Sequence, residues 1–187
     1  MPADGAVPAD GAVPADRVVP VIGRKRFGRD RQGRIRPGLE LPERELLRAL
    51  PEQARELVEH DEPSAQRLFP VAYPDDEAAQ AEYREMMGAQ LLDHHRHALA
   101  VLTDTVDETS IDEDELHGWL GAVEVLRLVL GTQLDVSEDV VEIEPDDPRS
   151  DQFTVYQYLS MLQGEIVDAL AAGLPKGGAT APDPRDR

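Results

Sequence analysis

The residues best placed to do chemistry are Asp93-His94-His95-Arg96-His97. Asp93 and His97 stand one helical turn apart, a spacing at which a carboxylate and an imidazole share a face and can hold a metal ion or pass a proton. Consecutive histidines diverge by about 100° on a helix, so His94 and His95 cannot both aim at one ion. No glutamate lies between paired histidines as in the metalloprotease helix. The run therefore reads as a boundary histidine, His94, on the apolar stripe of a helix with solvated neighbours. A metal-assisted hydrolase at His94 and His97 is the minor alternative, which His60 and His117 join only if the fold brings them near.

Other chemistry is less well supported. The acid-rich stretch from Asp135 to Asp147 invites a calcium loop, but its sixth position is Val140 where an EF-hand requires glycine. Gly28, Gly33 and Gly38 are too widely spaced to cradle a phosphate, and no Gly-x-Ser-x-Gly elbow occurs. The sequence contains no cysteine, which removes disulfides, thiolate nucleophiles and cysteine-ligated metals. No catalytic, cofactor-binding or metal-ligating residue is assigned, no cofactor is expected, and the reading is non-enzymatic.

Binding is better signposted. Arg24, Lys25, Arg26, Arg29, Arg31, Arg34 and Arg36 face one acid, Asp30, within a chain of net charge −19. Such a segregated basic segment can pair with the protein's own acidic surface, with an acidic protein partner or with a DNA backbone. Phe27 is the sole aromatic there, which gives no support to sequence-specific reading of bases.

The elements that must position these groups follow from periodicity. The low aromatic content, 4%, favours a core of Leu, Val and Ala and hence helices. Residues 1–21 hold a hexapeptide repeat, Pro-Ala-Asp-Gly-Ala-Val twice and then decayed, whose prolines and Asp-Gly pairs predict a disordered leader. Residues 22–172 form one helical domain, with a basic β-hairpin over 22–40 turning near Asp30 to Gly33. Residues 173–187, rich in Pro and Gly, predict a disordered tail. Within the domain, Pro51 predicts a broken helix or two short ones from Leu41. Ala65 to Phe69 fit a single turn before Pro70 and Pro74 impose an extended link. Asp75 or Asp76 caps a long helix striped by Tyr83, Met87, Leu91, His94, Ala98 and Leu102. Ser110 with Glu113, or Asp112 with Glu115, opens a helix through Trp119 to Leu130 that should be the most buried. A last helix spans Asp151 to Ala172. The fold class is mainly α, a single helical-bundle-like domain with a short N-terminal hairpin. Arg67 and Arg127, each before a leucine in an apolar stretch, are expected to be half-buried, with Arg127 paired to an acid from another helix. No signal peptide or stretch of about 20 apolar residues occurs, so a cytoplasmic location and no membrane contact are expected.

Several strings together resemble an actinobacterial family catalogued as a domain of unknown function, DUF2017, which includes an oxidation-sensing transcriptional regulator. They are Arg67-Leu-Phe-Pro-Val-Ala-Tyr-Pro-Asp-Asp76, Trp119-Leu120, Arg127-Leu-Val-Leu-Gly-Thr-Gln-Leu134 and Tyr156-Gln-Tyr-Leu-Ser-Met-Leu-Gln163. The resemblance implies a helical intracellular protein that acts with the transcription machinery in oxidative stress, without enzymatic activity. It also implies a gene neighbourhood near the Clp protease adaptor, and hence an alternative role as a proteolysis-linked adaptor or partner. That regulator senses oxidation through a cysteine pair, and this sequence has none to carry the role.

Overall fold

The computed structural model describes residues 25–59, 63–136 and 146–174. The repeat of the leader, Arg24, His60, residues 137–145 of the acidic loop and the tail from 175 lie outside the described residues.

The chain enters as a two-stranded antiparallel hairpin, β1 (Phe27–Arg29) and β2 (Ile35–Pro37), with Arg29 opposite Ile35 and Phe27 opposite Pro37. The turn forms where Asp and Gly predict it. The Asp30 carboxylate accepts from the backbone N–H groups of Gln32 and Arg34, and Gly33 takes φ 83°, open to glycine without a Cβ clash. Alternation buries Phe27 and Ile35 and turns Gly28 and Arg36 outward. Ile35 exchanges both backbone hydrogen bonds with Ile111 at 2.8 Å, which ties the hairpin to the bundle.

Four helices follow: α1 (Leu41–Glu59), α2 (Glu77–Thr105), α3 (Glu113–Gln133) and α4 (Ser150–Ala171), with a 3-10 helix, Pro63–Leu68, between α1 and α2. The break expected at Pro51 is absent, since α1 runs through it. Proline forfeits the hydrogen bond to the Leu47 carbonyl, but Pro51 is buried on the same side as Leu47, Ala54 and Val58, and that burial outweighs the local preference. The expected single turn at Ala65 is this 3-10 helix, which packs against α3.

Between the two capping patterns before α3, Asp112 wins. Its carboxylate accepts from Glu115 N–H at 2.8 Å while the Glu115 carboxylate accepts from Asp112 N–H at 2.6 Å. Asp76 caps α2 in the same manner, accepting from Ala79 N–H at 3.0 Å. The helix α3 is the central element, with Leu116, Trp119, Ala122, Val123, Val125, Leu126 and Val129 all buried. It packs against α2 on one side and α4 on the other.

The α2–α3 contact is close because small residues meet there. A Cβ built on Gly118 would lie 2.6 Å from Val101 Cγ1, and one on Gly121 would lie 3.2 Å from Ala98 Cβ. These pairs run antiparallel, and α2 has 29 residues against 21 in α3. The C-terminal end of α2 is joined to α3 by a short turn, so its surplus of about 12 Å overhangs at the N-terminal end. Its buried residues, Ala98, Leu99 and Leu102, all lie in the C-terminal third. Among the described residues, no helix is long and apolar enough to cross a membrane.

Candidate interaction surface

The structure divides the basic segment into two groups. Arg26 is folded inside, its side chain 2% exposed. Its Nε donates to Glu43 Oε1 of α1 and its terminal nitrogen to Glu165 Oε1 of α4, both at 2.6 Å, while its backbone N–H donates to Glu165 Oε2. Burial opposes the charge on Arg26. The hydrogen bond and field of Glu43 and the charge of Glu165 more than offset that, so its pKa is raised. The Tyr158 ring lies 5.8 Å from the guanidinium, and burial, then the Glu43 carboxylate, pushes its phenol pKa up.

Arg29 donates to Glu113 Oε2 at 2.9 Å and to the Ala169 carbonyl, and so joins the hairpin to both α3 and α4. Arg34 donates to the hydroxyl and the carbonyl of Ser110 and lies 3.8 Å from Glu115. Lys25, Arg31 and Arg36 are exposed, and among the described residues Arg36 pairs with Asp30, at 3.8 Å. Arg26 is thus withdrawn from the surface, Arg29 and Arg34 are exposed but spend donors on the bundle, and Lys25, Arg31 and Arg36 are the exposed cations of this segment with no tie to the bundle among the described residues.

The histidine run is arranged differently from the expected stripe. His94 is exposed, and His95 is the ring that turns inward. The buried face of α2 passes through Leu92, His95, Leu99 and Leu102, in steps of three and four that slip one position from His94. His95 Nε2 lies 3.3 Å from the Leu68 carbonyl, and its ring meets Phe69 edge to face at 6.2 Å. Desolvation lowers its pKa, which favours the neutral ring that donates to Leu68. His97 is exposed like His94. Among the described residues, no three His, Asp or Glu side chains are placed to hold one metal ion.

Two arginines singled out from the sequence also differ from expectation. Arg67 is exposed. Arg127 is half-buried, but its partners on α4 are neutral: Nε donates to Ser160 Oγ at 2.9 Å, one terminal nitrogen to Gln163 Oε1 and the other to the Tyr156 hydroxyl, with the ring of Tyr156 5.4 Å from the guanidinium. Five donors in a rigid fork let guanidinium satisfy several amide and hydroxyl acceptors, so a carboxylate is not required.

A further surface emerges at the overhang of α2, where the sequence predicts only an extended link. The link after the 3-10 helix holds Val71 and Tyr73 in the open, 65% and 49% exposed, and Met86 on α2 is 67% exposed. The link is nonetheless fixed. Gln80 Oε1 accepts from the backbone N–H groups of both Ala72 and Tyr73, at 2.9 and 3.0 Å, and the rings of Tyr73 and Tyr83 meet edge to face at 6.2 Å. Phe69, Pro70, Tyr83, Met87 and Leu91 line a shallow groove beneath it. The available signal was two large apolar residues held between Pro70 and Pro74, where a short link has no room to bury them.

Hairpin and bundle together define a mainly helical domain in which Arg26, Arg29 and Arg34 tie the hairpin to the helices, and in which Val71, Tyr73 and Met86 are exposed at the α2 overhang while Leu41, Val167 and Leu174 are exposed elsewhere. The chain belongs to the family described as Domain of unknown function (DUF2017), whose model matches residues 24–170. It is 32% identical over 130 residues to the putative oxidative stress regulator AosR of Mycobacterium leprae (strain TN), which covers 60% of each chain. It is equally 32% identical, over 124 residues and 57% of each chain, to the oxidative stress regulator AosR of Mycobacterium tuberculosis (strain ATCC 25618 / H37Rv). The chain thus spans less than two thirds of the length of these curated relatives. No solved structure matches it.

Proposed function

We propose that this chain is a non-enzymatic regulatory protein of the oxidative-stress response that works through contact with a protein partner of the transcription machinery and does not itself sense oxidation through thiols. The supporting observation is its likeness to proteins named oxidative stress regulator. The sequence contains no cysteine, so its control lies in a partner or in its surfaces. Direct DNA binding is the weaker reading, because Arg26, Arg29 and Arg34 are engaged with Glu43, Glu165, Glu113 and Ser110. Phosphate contact would fall to Lys25, Arg31 and Arg36 within a strongly anionic molecule.

The test has two arms on the full chain. Affinity capture from the native host, with and without peroxide, should retrieve transcription components to the same extent in both conditions. A mobility-shift assay with promoter DNA at physiological salt should show no salt-sensitive complex. A shift abolished by the combined change of Lys25, Arg31 and Arg36 to Ala would overturn the protein-contact reading in favour of DNA, and capture of Clp components alone would favour the adaptor role.

A further inference from the structure

We propose that the N-terminal overhang of α2, with the Pro70–Asp76 link clamped onto it, is a docking surface for a cationic amphipathic helix of a partner protein. The inference rests on the reading of the chain as an interaction protein and names the chemistry of its partner.

Three features of the overhang point to this occupant. First, it offers apolar anchors already in place. Val71, Tyr73 and Met86 are exposed, yet Gln80 holds the link by two backbone amides and Tyr83 supports the Tyr73 ring, so little order has to be created on binding. A surface tyrosine and methionine kept in the open on a fixed backbone are the residue types that anchor interfaces. Second, the anchors continue along α2, because Met86 follows Tyr83 by three positions and so flanks the ring that supports Tyr73, with Glu82 one helical turn before it. Third, the charge around the anchors selects the partner. Asp75, Asp76 and Glu77 follow Tyr73 in the chain, Glu82 lies one helical turn before Met86, Glu85 is adjacent to it in sequence, Arg84 is the basic residue in these turns, and all are exposed. A helix with leucine-like anchors on one face and Lys or Arg at its flanks complements this pattern, whereas a second copy of this chain would bring like charges together.

The probe is a designed amphipathic peptide with leucine on one face and lysine on the other, titrated into the full chain by fluorescence anisotropy. A matched peptide with glutamate replacing lysine serves as the control. The Leu/Lys peptide should bind and the Leu/Glu peptide should not. Changing Tyr73→Ala together with Met86→Ala leaves the net charge untouched and should weaken binding about tenfold or more. Changing Glu82→Lys with Glu85→Lys should weaken it further at low salt than at high salt. All four side chains are exposed, so circular dichroism and melting should confirm an intact fold.

Equal binding by wild type and the Tyr73/Met86 variant would mean diffuse charge attraction and overturn the proposal. So would light scattering that finds a wild-type dimer made monomeric by that variant, which would assign the face to self-association. If the variant binds the peptide normally while affinity capture still retrieves transcription components, the surface is wrong and the regulatory reading stands. If it loses the peptide while capture retrieves nothing, the surface stands and the regulatory reading falls.

Discussion

Arg26 shows how far one side chain can be redirected by the fold that forms around it. Beside Lys25 in the sequence it belongs to a basic run, but the packing of the hairpin onto the bundle places Arg26, just ahead of β1, in the interior between carboxylates from α1 and α4. Removing the guanidinium would leave Glu43 and Glu165 confined without a counter-charge, which typically costs about 3–5 kcal/mol. We expect Arg26→Met to lower stability by that order in urea denaturation of the full chain. Adding Glu43→Gln and Glu165→Gln should recover part of the loss, because no uncompensated charge is left inside. A loss below about 1 kcal/mol for Arg26→Met would show that the network is incidental to stability. Nothing in the sequence paired Arg26 with Glu165, since the two are 139 positions apart and only the return of α4 to the hairpin joins them. The same holds for Arg127, whose neutral partners depend on the facing register of α3 and α4.

At the scale of elements, glycine positions separate contacts that were legible in the sequence from those that were not. The last three helices and the hairpin turn follow from local signals, namely periodicity and Asp-Gly chemistry, while the spacing of three residues narrows the α3 cap to two candidates of which the fold uses Asp112–Glu115. The unbroken α1 and the rotated face of α2 do not, because both are decided by what packs against them: the burial of Pro51 in one case and the 3-10 helix over His95 in the other. Gly118 and Gly164 both sit mid-helix, where Ala ordinarily gains about 1 kcal/mol by propensity. Gly118→Ala would drive its methyl into Val101, a stiff branched side chain, and overpacking of this kind costs about 1–3 kcal/mol. Nothing lies within 4 Å of a Cβ on Gly164. Thermal melts should therefore move in opposite directions, downward for Gly118→Ala and upward for Gly164→Ala. A rise for both would mean that α2 and α3 separate easily, and the close helix contact would lose its structural meaning.

Across the whole molecule, 38 acidic side chains face 19 basic ones, and the described arginines are used chiefly as internal ties. The contrast of a basic end with an acidic body, plain in the sequence, is reduced in the fold by the burial of Arg26 and by the ties of Arg29 and Arg34. What remains is surplus negative charge. Exposed pairs such as Arg48–Asp107 and Arg149–Asp147 contribute little and are themselves screened by salt. Arg149 holds the Asp147 carboxyl down to about pKa 2, so whatever this tie contributes is lost only as pH falls toward that value and adds no pH dependence near neutrality. Repulsion among the remaining carboxylates extends over roughly 10 Å at 0.1 M salt and shrinks as salt is added. The two effects oppose each other, and with a net charge of −19 the repulsion is the larger. Raising sodium chloride from about 0.02 M to about 0.3 M should therefore raise the melting temperature of the full chain. Chloride is the appropriate salt, because sulfate strengthens apolar burial in any protein and would raise it regardless of charge. A fall in melting temperature over that range would mean that the exposed ion pairs, and not the surplus acid, set the electrostatic balance of this fold.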